Sequence, residues 1–273
     1  MPIRAETSAP SVASAAEAVV AASERLAPFQ IDTPVLAARS LGPQAYHKCE
    51  NLQRTGSFKL RGALNKMLVL SADERQRGVV ASSTGNHGLA VAEGLRLTSG
   101  RGTVVVSSAA SPYKIERLRK AGLEVIVSER DPMAAELEAR ALADAEGRVY
   151  VSPYNDADVI AGQGTVAVEL IAQRPDVEAV FVAVGGGGLI AGMASYLKSV
   201  RPDVSIVGCW PEKAAAMYES VRAGRLIEVA GLPGTGCQCA PSAAEMRPEL
   251  HRLTLQFDRF HETSGHEVAK PSR

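Results

Sequence analysis

Short runs of β-branched and other apolar residues alternate along the middle of the chain with longer segments whose apolar positions recur at helical spacing. "GVVASS" precedes "NHGLAVAEGLRL", "GTVVVSS" precedes "YKIERLRKAG", and "LEVIVSE" precedes "PMAAELEARALADAEG". "VYVSPY" leads to a helix expected to begin near "GQGTVAVELIAQ"; "VEAVFVAVGGGG" leads to "LIAGMASYLKSV", and "VSIVGCW" to "EKAAAMYESVRAG". Near-continuous apolar strands need cover on both faces, so the pattern predicts an α/β fold of parallel-rich sheets flanked by helices. Ligands of such sheets bind beyond the carboxyl ends of the strands, which makes the loops after the strands the places to look for chemistry. Upstream, "MPIRAETSAPSVASAAEAVVAASERL" predicts an amphipathic helix, its alanine-rich run interrupted by Glu17 and Glu24.

Composition narrows the partners. The 273 residues are 46% hydrophobic, enough for one sizeable core or two smaller ones, and 30 basic side chains balance 30 acidic ones. Without a run of like charge, neither nucleic acid nor an acidic membrane surface is an expected partner, and a small polar molecule fits better. No apolar run reaches the length of a membrane span and no signal-peptide core is present, so a cytoplasmic protein is expected. Four scattered cysteines argue against a disulfide scaffold, and Cys237 with Cys239 is a C-x-C pair without a second pair, so no metal site is expected there.

Two of the post-strand loops are unusual. "AVGGGGLIAG" places Gly185, Gly186, Gly187 and Gly188 between a buried strand and a helix, where bare N–H groups and the positive helix terminus can converge on a phosphate. One or two glycines suffice for a tight turn, and four in a row cost chain entropy without a packing return. Gly186, Gly188 and Ala191 also satisfy G-x-G-x-x-A, so a nicotinamide or flavin nucleotide is an alternative ligand. That alternative wants an acidic residue about 20 residues on, where Trp210 and Pro211 stand before Glu212. In the second loop, "SSTGNHG", Ser83, Thr84, Asn86 and His87 can bind a carboxylate, and Asn86 can donate to a phenolate oxygen; simple helix capping by Ser or Thr is the competing reading. Upstream, "ENLQRTGSFKLRGA" sets Lys59 among Phe58, Leu60 and Arg61, surroundings that can desolvate an amine or set it near positive charge, as a nucleophilic lysine requires.

The blocks "KCENLQRTGSFKLRGA", "SSTGNHG", "VIAGQGT" and "VGGGGLIAG", in this order and spacing, resemble the fold type II pyridoxal-phosphate enzymes, in their serine/threonine dehydratase and serine racemase branch. The resemblance runs from about residue 20 to about residue 225. It implies pyridoxal 5'-phosphate as cofactor, with Lys59 as the lysine that holds its aldehyde and Phe58 lying against its ring. Asn86 is then the partner of its phenolate oxygen, and Gly185 to Gly188 with Leu189 form its phosphate loop. Ser83, Thr84, Asn86 and His87 are implied to take the carboxylate of an amino acid substrate. The implied reaction removes the α-proton of a β-hydroxy amino acid of the L-threonine or L-serine type and expels the hydroxyl, giving a keto acid and ammonia.

Racemases of the family carry a serine where Thr84 stands, so the resemblance favours elimination, with an amino-acid racemase as an alternative. They also carry a divalent metal whose acidic ligands would fall at Trp210 and Ala216, so no such metal is expected. The threonine-bearing loop is similar to a subgroup named for hydroxyectoine utilisation. Residues 1–75 and 152–273 are expected to form a larger cofactor-binding lobe and 76–151 a smaller one, with the site between them; a homodimer follows from the resemblance alone. From about residue 226 the carboxyl-terminal part is atypical: no buried strand run is visible, the family's late motifs are missing, and Ser264-Gly265 is a Ser-Gly pair with no apolar strand before it. A catalytically impaired fragment or pseudoenzyme is therefore a further alternative.

Overall fold

The computed structural model describes residues 12–83, 85–129, 131–211, 223 and 259–263. The chain opens with helix α1 (Val12–Leu26), whose buried Ala16, Val19, Ala22 and Leu26 recur every three or four residues, as an amphipathic helix requires. A small antiparallel ribbon follows, β1 (Val35–Ala37) with β2 (Tyr46–Lys48), and then a turn of 3-10 helix over Glu50–Leu52. Helix α2 (Lys59–Val69) leads to α3 (Ala72–Arg77), which starts on a capping box of Ser71 and Glu74.

The next stretch is regular: β3 (Val79–Ser82), α4 (Asn86–Thr98), β4 (Gly102–Ser107), α5 (Pro112–Lys120), β5 (Glu124–Ser128), α6 (Pro132–Ala145) and β6 (Val149–Tyr150). Helices α5 and α6 each begin with a side-chain cap, Ser111 or Asp131, followed by proline in the first turn, where a missing N–H costs nothing. The four strands form one parallel sheet in the order β5-β4-β3-β6. Its central strand β4 buries Val104, Val105 and Val106 completely or nearly so, each contributing about 1.5–3 kcal/mol of apolar burial.

Helix α7 (Ala157–Gln173) begins earlier than its apolar pattern indicates, because Asp156 caps it by accepting from the N–H groups of Asp158 and Val159. It is followed by β7 (Ala179–Ala183), α8 (Gly188–Val200) and β8 (Ser205–Pro211). Beyond about residue 226, where the sequence shows no buried strand run, β9 (Arg259–Thr263) nevertheless pairs in parallel with β8, giving a second sheet ordered β7-β8-β9. A ladder needs only backbone groups, so the mixed "RFHET" segment carries none of the apolar run by which a buried strand is recognised. Ser264 therefore directly follows a strand, but Ser264 and Gly265, like the helix expected over 212–224 and the pair Cys237 and Cys239, lie outside the described residues.

Each sheet has its own core. Leu60, Leu64 and Met67 of α2 join the core under β3 and β4, whereas Ile160, Ile190, Ala194 and Trp210 build the core of the second sheet. Phe58, one residue before α2, packs against that second core, so the start of α2 lies where the two meet. Helix α7 binds the arrangement together through close backbone contact. A methyl group on Gly162 would lie 2.5 Å from the Arg61 carbonyl of α2, and one on Gly164 would lie 2.7 Å from the Gly192 carbonyl of α8. Lys66 adds ion pairs from α2 to Asp156 and Asp158 at the head of α7.

Candidate active site

Lys59 is the first residue of α2, after a turn in which Gly56 takes φ +76°. Its Nζ donates to the Pro153 carbonyl at 2.6 Å and stands 5.3 Å from the centre of the Phe58 ring. Arg61 does not supply the bare positive charge beside Lys59 that the sequence offered. Two residues along a helix is a turn of roughly 200°, which sends its side chain to the other side. There the fully buried guanidinium is held from two directions. Nε and Nη2 donate to Glu50 at 2.8 Å each, Nη1 and Nη2 donate to Glu169 at 2.6 and 2.9 Å, and Nη1 also donates to Thr165 at 3.2 Å. Lys48 joins Glu169 at 2.6 Å. Burial opposes the charge on Arg61, but hydrogen bonds and attraction from Glu50 and Glu169 outweigh it and raise its affinity for the proton. Burial alone pushes Glu169 up, yet Arg61 and Lys48 hold its carboxyl below the usual range.

Gly85 occupies the cap of α4, no side chain among the described residues caps the helix, and the Ser83 hydroxyl accepts from the Gly85 N–H at 3.2 Å. Asn86 opens the helix and is exposed; Thr84 lies outside the described residues. His87 is buried, with Nε2 2.9 Å from the Val151 carbonyl. A carbonyl only accepts, so Nε2 carries the hydrogen and Nδ1 is a lone-pair acceptor, with no partner among the described residues. Burial, then the nearby Lys59 charge, pushes the imidazole pKa down to about 3, against a smaller raising effect of the Val151 carbonyl. His87 should therefore stay neutral, with hydrogen on Nε2, when nitrogen NMR is followed down from neutral pH. An imidazole that protonates near its ordinary 6.5 contradicts this. Because the unfolded chain takes up this proton first, the stability His87 contributes is complete above pH 6.5 and declines as the pH falls towards about 3.

The glycine turn joins β7 to α8. Gly187 adopts φ +82°, in the left-handed region, and no side chain caps α8, whose first N–H groups point out of the turn. Gly186 and Gly188 lie against Tyr154: a methyl group on Gly186 would collide with the tyrosine ring, and one on Gly188 would sit 2.8 Å from the Tyr154 carbonyl oxygen. Leu189 turns its side chain to the second core. The stretch from Val151 to Tyr154 thus meets three blocks found in the sequence. The Val151 carbonyl takes His87, the Pro153 carbonyl takes Lys59, and Tyr154 backs the glycine turn. Sequence reading missed this segment, which it treated as the end of the strand "VYVSPY". Among the described residues no group of three His, Cys, Asp or Glu side chains is placed to hold a metal; Ala216 falls outside them.

Over residues 26–269 the chain matches the family model of pyridoxal-phosphate dependent enzymes. It belongs to that family. Pyridoxal phosphate is therefore its cofactor, and the nucleotide alternative is set aside. The residues fit the group: a helix terminus capped by no side chain for a phosphate, and a lysine amine held by the Pro153 carbonyl, next in sequence to the Tyr154 that backs the glycine turn. An L-threonine ammonia-lyase of Thermotoga maritima is 44% identical over 192 residues, 70% of this chain and 48% of that one. A serine racemase of Oryza sativa is 35% identical over 218 residues, 78% of this chain and 63% of its own length. The processed form of threonine deaminase isoform 2 from Solanum lycopersicum superposes with a TM-score of 0.83 at 32% identity, covering 90% of this chain and 73% of that one. The family members near this chain thus include both lyases and racemases, and the chain spans about half to two thirds of the length of these two curated relatives. Among the described residues no helix is long and apolar enough to cross a membrane.

Proposed function

We propose that the protein is an ammonia-lyase that converts a β-hydroxy amino acid, of the L-threonine or L-serine type, to a keto acid and ammonia. The observation that carries this is the meeting of the Lys59 amine, the glycine turn and the His87 loop on the segment Val151–Tyr154. When bound, the cofactor supplies an aldehyde for the substrate amine and a conjugated ring that accepts the electron pair left at the α-carbon. The N–H groups at the head of α8, with Gly185 to Gly188 and Leu189, hold its phosphate, and Phe58 lies against its ring. Asn86 donates to its phenolate oxygen.

Ser83, Thr84, Asn86 and His87 hold the substrate carboxylate at the head of α4, where helix dipole and N–H groups favour an anion. The His87 ring gives its one N–H to the Val151 carbonyl and keeps Nδ1 as a bare acceptor, so its share in holding the carboxylate is its backbone N–H in the first turn of α4, not its imidazole. With the cofactor bound, Lys59 Nζ would take the α-proton, and the Pro153 carbonyl would fix its direction by accepting one of its hydrogens. The β-hydroxyl leaves as water with one added proton. Lys59 would reclaim the aldehyde as the substrate nitrogen leaves it, and the freed enamine, in its imine form, would add water and lose ammonia to give the keto acid.

Racemisation is the second reading, favoured by the rice serine racemase relative. It needs a proton donor on the opposite face of the substrate, the side assigned here to Thr84, whose extra methyl relative to serine crowds that face. Lobes of residues 1–75 with 152–273 and of 76–151, a homodimer and a cytoplasmic location complete the proposal. The deciding experiment incubates protein and pyridoxal phosphate with L-threonine or L-serine and assays keto acid, ammonia and the D-enantiomer together. Keto acid and ammonia in equal amounts support the lyase, and D-amino acid in excess of keto acid overturns it in favour of the racemase. A cofactor-loaded protein that forms neither is the impaired relative of the family.

A further inference from the structure

We propose that Tyr154 is a positioning residue that fixes the span between the glycine turn and the Lys59 amine, the two points a phosphorylated aldehyde must reach at once. The inference rests on the functional reading above. Two adjacent residues touch both ends of the site. The Pro153 carbonyl accepts from Lys59 Nζ at 2.6 Å, and the Tyr154 ring packs against Gly186 with its own carbonyl beside Gly188. Absence of side chains at those two glycines is what allows the ring to approach, so turn and tyrosine fit each other and no other residue separates them.

Tyr154 is itself held firmly. It is 4% exposed, and its hydroxyl donates to Glu136 Oε2 at 3.4 Å. The other Glu136 oxygen accepts from the Tyr150 hydroxyl at 3.0 Å and from Arg140 at 2.9 Å, which ties the tyrosine to α6. In the backbone, the Ser152 hydroxyl accepts from the Asn155 N–H at 2.9 Å and closes the turn that carries Pro153 and Tyr154. A ligand anchored at two points gains from the second anchor only if the distance between them is set beforehand, because a fluctuating span lowers the effective concentration at the second point. Tyr154 therefore acts on the two anchors jointly and on neither alone.

The test compares wild type, Tyr154→Leu and Tyr154→Phe by calorimetric titration with three probes: inorganic phosphate, phosphate-free pyridoxal and pyridoxal phosphate. Thermal unfolding of the cofactor-free proteins runs alongside. In Tyr154→Leu the affinity for pyridoxal phosphate should fall by about tenfold or more, with each single-anchor probe within about twofold of wild type. Tyr154→Phe keeps the ring and loses only the Glu136 bond, so it should show the same pattern with a smaller loss; if Tyr154→Leu does not fold, this variant decides. Unchanged affinity for pyridoxal phosphate overturns the inference. So does an equal loss for inorganic phosphate, which would mean that the tyrosine merely keeps the turn folded. The functional reading fails separately, and takes the inference with it, if borohydride does not fix the cofactor to Lys59 in the wild-type protein.

Discussion

Lys59→Ala is expected to bind pyridoxal phosphate without the visible absorption band of a lysine-bound cofactor, and to lose turnover by at least about a thousandfold, in line with removal of a positioned acid-base group. The expectation follows from the two roles proposed for one side chain, the amine that holds the aldehyde and the base for the α-proton. Its surroundings support both. Lys59 is half-buried at the meeting of two cores, with the Pro153 carbonyl as a hydrogen-bond acceptor and the Phe58 ring beside it. The phosphate anchor proposed at the head of α8 shares no side chain with Lys59, so the variant should retain cofactor by that anchor, detectable by phosphorus NMR. Turnover of threonine or serine at more than about a hundredth of the wild-type rate would remove Lys59 from the proton transfer.

Arg61→Ala is expected to be the most destabilising of the substitutions at polar positions, by about 3–5 kcal/mol, because it removes the cation that two largely buried carboxylates share and leaves Lys48 to pair with Glu169 alone. The side chains of Glu50 and Glu169 are only 14% and 10% exposed. For a chain of this size the loss corresponds to a fall in melting temperature on the order of 10 °C. The pH dependence gives a second reading. Glu169 has its folded pKa held below the ordinary 4.5, so the stability it contributes is present above pH 4.5 and is lost as the pH falls through the lower folded value. Removing Arg61 should move that acid limb to higher pH, measurable as the urea midpoint between about pH 3 and pH 7. A variant with wild-type midpoint and limb would mean that Lys48 alone satisfies Glu169.

The α/β rhythm and the blocks around Lys59, Asn86 and Gly185–Gly188 were legible because each is written in side chains: apolar runs, helical spacing, glycines before a helix. What escaped was written in the backbone. The Val151 and Pro153 carbonyls hold His87 and Lys59 whatever side chains those two positions carry, so no residue pattern announces them. Arg61 was misread for a different reason: adjacency in sequence suggested adjacency to the amine, and the helical turn separates them. Strand β9 escaped because a parallel partner far away in sequence supplies its ladder, while its own residues alternate no clear face.

The contact of α7 with α2 and α8 through Gly162, Gly164 and Gly192 carries a mechanical consequence. Where backbone meets backbone no side chain can change rotamer to take up slack, and hardly any void remains. Compression acts on a protein largely through the voids it can eliminate. The three helices that begin or bridge the two ends of the site therefore form its least compressible part, and hydrostatic pressure should deform the surface loops well before it alters the distance from the lysine helix to the glycine turn.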